Sequence, residues 1–356
     1  MNNKLALIQT LIGSGQTIMN QDLAGESWAD ISLVGAVFID CSFAATQLTG
    51  CDLSRTVFIQ CDFSHSQLTD NTIQQSSFVR CIFNDSQWRG ECGSSTLCES
   101  DLSLSHWLQV KLTATTFSQC NLSQSVWSGC TFHAVNLSEV DTSGMTLERC
   151  DFNNISWLNS DFSTITLKNV SFEKALLLQC RFTDKDLSGI RFRACTCTES
   201  QFARIRFSAA DLANSNFSKC QLAEVDFSDC NLNQALFIES QISGCHFTSA
   251  HLANANFQKA ELSETSFKNS YLTESWFKLA VVSKVDFSGS DMRYANLSYS
   301  QLQHCDFINV QLLRTNLHAG KETSCRWNGS NTAELLLTDP DQQELDKQLA
   351  DYGVSA

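Results

Sequence analysis

Seventeen cysteines and seven histidines in 356 residues invite a search for metal ligands, disulfides or a thiol nucleophile. The pairs Cys245–His246 and His304–Cys305, and the run Cys195–Thr196–Cys197, carry atoms that suit zinc, which takes four thiolate or imidazole ligands in tetrahedral array. Their spacing does not assemble such a set. No CxxC occurs with a matching second pair. Fourteen cysteines instead share one register: Cys41, Cys51, Cys61, Cys81, Cys120, Cys130, Cys150, Cys180, Cys195, Cys220, Cys230, Cys245, Cys305 and Cys325. Acid–base chemistry fares no better, because Asp and Glu sit mostly at outward positions, away from the desolvated concave pockets that shift carboxyl pKa values. GxGxxG, P-loop and GxSxG motifs are all missing. The expectation is a protein that is not an enzyme and carries no cofactor or metal.

The register of those cysteines follows from a period of five. In "NFSKCQLAEVDFSDCNL", Phe217, Leu222, Phe227 and Leu232 fall five residues apart. Neither a helix with 3.6 residues per turn nor a strand with period two presents one face at that spacing. Centres of this kind recur at every fifth residue from Ile18 to Trp88 and from Leu97 to Leu317, 60 in all. Only Thr142 and Cys197 among them are not bulky and apolar, while all 24 phenylalanines and six of the seven tryptophans keep this register. The fourteen cysteines stand two residues before a centre, where Ala, Ser, Thr or Val otherwise predominate. Each pentapeptide thus offers one large inward residue, one small inward residue and three outward polar ones. The thiols are expected as compact, reduced core filling, in keeping with a cytoplasmic protein. In each Cys–His pair the cysteine then points inward and the histidine outward.

Four pentapeptides closing one square coil return the chain to the same face after twenty residues, one strand spacing higher. Phe217, Phe237, Phe257 and Phe277 then form one column and Phe227, Phe247, Phe267 and Phe287 the opposite one. Leu212, Leu232, Leu252 and Leu272 fill a third, with Leu222, Ile242, Leu262 and Val282 the fourth. Backbone groups pair with the coils above and below, about 4.8 Å away, so about 15 coils give a rod on the order of 70 Å long. Each coil touches only its neighbours.

The stretches "SAADLANSNFSKC" and "SAHLANANFQKAEL" carry the pattern A-(D/N)-L-x-x, and on them the sequence resembles the pentapeptide-repeat family across residues 18–317. The resemblance implies an all-β fold, a right-handed quadrilateral parallel β-helix, flanked here by an N-terminal cap (1–17) and a C-terminal cap and helix (318–356). Fold does not by itself imply function.

The interval from Trp88 to Leu97 is nine residues, not ten, so one residue is missing within 89–96, "RGECGSST". Gly90 and Gly93 would supply the backbone freedom for a tightened corner. The break reads as a tolerated kink or, alternatively, as a notch for a partner. Cys92 and Cys98 beside it are expected to be the thiols nearest solvent. In "MNNKLALIQTLIGSG", Leu5, Ile8, Leu11 and Ile12 have helical spacing and close the first coil, and the run does not read as a signal peptide. In "TDPDQQELDKQLADYG", Asp339 reads as an N-cap, Pro340 as first turn, Leu345 and Leu349 as one face, and Gly353 as the residue past the last turn. This helix caps the coil or, alternatively, forms a homodimer. No apolar run is long enough to span a membrane.

The formal charge of −14 argues against direct binding of nucleic acid and leaves basic partners. Residues 168–206 depart from it with 4 acids and 8 bases: Lys168, Lys174, Arg181, Lys185, Arg191, Arg193, Arg204 and Arg206. This belt is a candidate docking patch for an acidic partner. Tyr271, Tyr294 and Tyr299 fall at outward positions, with Trp276 the one tryptophan off a centre and Leu279 beside them. Such side chains anchor protein interfaces. The expected function is a scaffold or adaptor that binds protein partners. The resemblance implies a narrower version, an accessory or loading factor of a type VI-like bacterial secretion system. It also implies an alternative: a DNA mimic that binds and protects the type II topoisomerases gyrase and topoisomerase IV.

Overall fold

The computed structural model describes residues 3–351, and their contacts separate into two compact units, residues 1–180 and 181–356. Both are wound as the four-sided parallel β-helix that the period of five predicts.

In the first unit, helix α1 (Asn3–Gly13) covers the opening coil. Ile8 is fully buried, Gln9 donates from Nε2 to the Ser32 carbonyl at 3.0 Å, and Lys4 pairs with Glu26 at 3.4 Å. An eight-stranded parallel sheet then runs from Ile18–Met19 to Ser156–Trp157. Its register pairs Phe38 with Phe58 and Phe58 with Phe78. Rings one coil apart stack, Phe38 on Phe58 at 5.1 Å and Trp107 on Trp127 at 4.1 Å. In the second unit eight strands stack from Arg181–Thr183 to Lys321–Thr323, so pairing continues past Leu317. Its other three faces are held by single bridges such as Asp226 to His246 and Asn231 to His251. Phe237 stacks on Phe257 at 4.7 Å and meets the next column edge-on, Phe247 at 5.8 Å and 88°.

The corners explain the polar positions. Two residues past nearly every centre the backbone turns into the left-handed region, at φ 52° for Asn20, 71° for Gly25, 53° for Asp30 and 72° for Gly35; after Phe162 a 3-10 turn, Phe162–Thr164, takes its place. Asp or Asn one residue before a centre accepts from the N–H two residues on, as Asp62 does from Ser64 at 2.8 Å. At the small inward site a thiol or hydroxyl donates to a carbonyl, Cys51 to Trp28 at 3.5 Å and Ser86 to Phe83 at 2.6 Å. Three core tryptophans donate from Nε1 to such a serine, Trp107 to Ser105 at 2.8 Å.

The missing residue is absorbed without a turn. Strand Gln87–Gly93 runs through the corner against Gln67–Gln74, with Arg89 opposite Thr69 and Gly90 opposite Asn71, so Asp70 is skipped. Gly90 holds φ 117°, and a Cβ there would lie 3.1 Å from the Asp70 Cα and 3.3 Å from the Asn71 carbonyl oxygen. Cys92 corrects an expectation: it is 1 % exposed, not near solvent, because the shift of one residue makes it a centre, between Ile73 and Leu112. Gly90→Ala should lower stability by about 1–3 kcal/mol in urea unfolding. Gly25→Ala should cost less, about 1 kcal/mol, since nothing lies within 4 Å of its Cβ and only the left-handed backbone, which Ala45 adopts at φ 55°, opposes it.

Candidate partner-binding surfaces

In the second unit every centre from Phe182 to Leu317 is buried, so an exposed ring there must come from a corner or an outward strand position. In the second unit Tyr271, Trp276 and Tyr294 are 49 %, 46 % and 51 % exposed, with Leu279 at a left-handed corner beside them. Trp276 bridges between Asn256 and Asn296 one coil on either side, and Tyr271 lies flat on His251 at 4.7 Å. Trp276 and Tyr294 line one groove of about 320 Å³ together with Asn254, Glu274, Asn296 and Asn316.

Tyr299 departs from the free outward position expected of it. Helix α2 (Pro340–Asp351) folds back so that Asp346 accepts from the Tyr299 hydroxyl and from His318 Nε2, the latter at 3.2 Å. Asp339 donates its backbone N–H to Nδ1 of the buried His318 at 3.3 Å, which leaves Nε2 to carry the hydrogen toward Asp346. Tyr299 meets His318 edge-on at 5.5 Å and lies under Lys278 Nζ at 5.7 Å. Desolvation, then the Asp346 carboxylate, push its phenol up to about 12. Tyr299 therefore anchors α2 rather than standing in the free patch. Asp339 is the N-cap, its Oδ1 accepting from Asp341 N–H at 2.9 Å, and Leu345 stays 53 % exposed. Gly353 lies outside the described residues.

The basic belt is largely paired. In the second unit Arg204 grips Asp184 with two bonds of 2.6 and 2.9 Å and holds its carboxyl below the usual range. Arg206 reaches Asp186 at 3.5 Å, and Arg193 reaches Asp211 at 3.4 Å. Arg181 and Arg191 project from outward positions of their strands. In the first unit Lys168 ends the strand Thr166–Lys168, and Lys174 occupies a corner at φ 53°.

Two apolar surfaces in the first unit escaped the sequence reading. One is a groove of about 490 Å³ beside the register break, lined in part by Arg89, His106, Leu108 and Val126. The other is a row formed by Met19, Ile39, Ile59 and Val79 on successive strands of one sheet. Both had a signal, an apolar residue directly beside a centre.

Burial covers fifteen of the seventeen thiols. Desolvation pushes Cys92, Cys120 and Cys180 up to about 11 and Cys220 and Cys245 to about 12. Only Cys98 and Cys325 are partly accessible, and a hydrogen bond from Cys305 lowers the Cys325 pKa. Among the described residues no group of three or more His, Cys, Asp or Glu converges on a metal position, and no helix is long and apolar enough to cross a membrane.

Residues 100–177, 170–244 and 240–317 match the family described as Pentapeptide repeat region, and residues 22–55 and 46–85 that described as Pentapeptide repeats (8 copies). No curated protein sequence matches. Among solved structures, a trypsin-treated form of QnrB1, a plasmid-mediated fluoroquinolone resistance protein, is 18 % identical, with 58 % of this chain and 99 % of that one covered and a TM-score of 0.41. HetL, a pentapeptide repeat protein involved in heterocyst differentiation regulation in the cyanobacterium Nostoc sp. strain PCC 7120, is 16 % identical over 95 % of this chain and 98 % of its own, with a TM-score of 0.23.

Two measurements test this surface. An aromatic-thiol reagent should modify at most Cys98 and Cys325 of the 17 thiols in native protein, Cys325 faster, with the rest reacting only on unfolding. In a spectrophotometric titration Tyr299 should ionise near pH 12, returning toward the ordinary range in Asp346→Asn. Because its folded pKa is raised, the contact stabilises fully below about pH 10 and is lost as pH rises toward 12.

Proposed function

This chain belongs to the pentapeptide-repeat family, and from that premise we propose that it is a non-enzymatic scaffold or adaptor that binds protein partners on the outer faces of its coils. The observation that carries this reading is the half-exposure of Tyr271, Trp276 and Tyr294 in a unit whose phenylalanines are all buried in columns. Rigid aromatic side chains of this kind supply contact area at low entropic cost. Docking through them needs no cofactor and suits a cytoplasmic protein with reduced thiols.

Two further surfaces belong to the same reading. The outward arginines Arg181, Arg191, Arg193, Arg204 and Arg206 form the belt offered to an acidic partner, which would compete with Asp211, Asp184 and Asp186 for the last three. Helix α2, with Leu345 exposed and Leu336 and Leu337 preceding it, is the element for a second copy. A loading or accessory role beside a type VI-like secretion machine is the narrower version. The charge of −14 favours a second reading, imitation of duplex DNA toward gyrase or topoisomerase IV.

The test is affinity capture from source-cell lysate with mass spectrometry, using the intact chain and the double variant Trp276→Ser/Tyr294→Ser. A defined protein complex that the double variant loses supports the adaptor. Topoisomerase subunits retained by both proteins would replace it with the DNA-mimic reading. Both side chains face solvent, so the variant should keep its melting temperature.

A further inference from the structure

We infer that the groove between Trp276 and Tyr294 takes a left-handed polyproline segment of the partner, carrying one basic residue; the inference rests on the adaptor reading and names what the adaptor grips. Peptides are held by a few recurring modes, and this site excludes two of them. Adding a strand requires free backbone groups. Here Trp276 donates its N–H to Ala255 at 2.9 Å and accepts at its carbonyl from Phe257 at 2.6 Å, so both groups are spent on the preceding coil. Seating an amphipathic helix requires a long apolar trough, whereas three asparagines interrupt this one.

A polyproline segment has the opposite needs. Its carbonyls are all unpaired and seek donors, its proline rings seek flat apolar faces, and its conformation is already ordered. The groove offers both. Trp276 and Tyr294 supply two half-exposed rings from adjoining coils. Asn296 Oδ1 accepts from Ser298 N–H at 2.9 Å, and Asn316 Oδ1 accepts from His318 N–H at 2.8 Å. Each amide is thereby fixed with its Nδ2 hydrogens left to donate. The two donors stand one coil apart, and Trp276 Nε1 adds a third. The span from Trp276 to Asn316 also suits the ligand: three residues of a polyproline helix rise about 9.3 Å, and the two coils between these residues about 9.6 Å. Glu274 is the one formal charge on the lining, and it selects a Lys or Arg beside the prolines.

The experiment is fluorescence anisotropy with the full chain and a fluorescein-labelled peptide, Ala-Pro-Pro-Arg-Pro-Pro-Ala. Saturable binding is expected, weakened about tenfold or more by Trp276→Ser, by Tyr294→Ser and by changing the four prolines to alanine. Glu274→Gln should weaken this peptide yet leave an Arg→Ala peptide unchanged. Absence of saturation up to about 1 mM protein overturns the inference, as does equal binding of the proline-free peptide or of the Trp276 variant. Loss of the captured complex in the double variant, with no peptide binding, leaves the adaptor standing and removes the polyproline ligand. Peptide binding that depends on Trp276, with no complex captured, supports the ligand class and removes the adaptor.

Discussion

A left turn at every fifth residue is the constraint on which everything else in this protein depends. Ordinary residues avoid the left-handed region by roughly 1 kcal/mol or more, yet Arg55, Gln60, Lys219 and Glu224 all adopt it here, at φ between 52° and 58°. What offsets this is collective. Most corner N–H groups reach a carbonyl of the next coil, as Arg55 reaches Gln74 at 2.7 Å and Glu224 reaches Ser243 at 2.9 Å. Each turn also buries a large side chain such as Phe227, a gain of about 1.5–3 kcal/mol. One coil alone has neither neighbour, so stability grows by stacking.

The same corners set the surface. A left-handed residue stands at the outermost point of the coil, and the side chains there are those that reach furthest from the core. Leu279, Tyr294 and Tyr299 all hold such positions, at φ 62°, 61° and 59°. What happens to each then depends on its surroundings. Tyr294 remains open beside Trp276, while Tyr299 is taken up by the helix that returns over it through Asp346 and His318. Charges follow the same geometry, because residues twenty apart lie one coil spacing apart. Arg204 and Asp184 are such a pair, as are Lys284 and Glu264 at 2.9 Å. A count of bases along the chain therefore overstates the positive surface that a partner meets.

The core was legible because its rule is local. A bulky residue every five, a small one two before it, and Asp or Asn capping the turn can be read from Asn216 to Leu232 without any coordinates, and the columns of Phe237 and Phe247 follow. Two particulars were not legible. Cys92 reads as a residue beside a break, since only the pairing of Gly90 with Asn71 reveals that the strand continues through the corner and makes it a centre. Tyr299 reads as outward, since the repeat rule says nothing of a segment forty-seven residues later that supplies a carboxylate to it.

The sequence by itself determined the repeat, the inward and outward positions, the inward register of fourteen thiols and the location of the unusual aromatic residues. Each of these is set within five residues or by a strict multiple of twenty. Tertiary structure alone decided which outward residues stay available: which arginines are neutralised across a coil, which tyrosine is held by α2, and which ring faces the asparagine donors. Those outcomes depend on contacts between columns and on the return of a helix outside the repeat, and no local spacing rule encodes either.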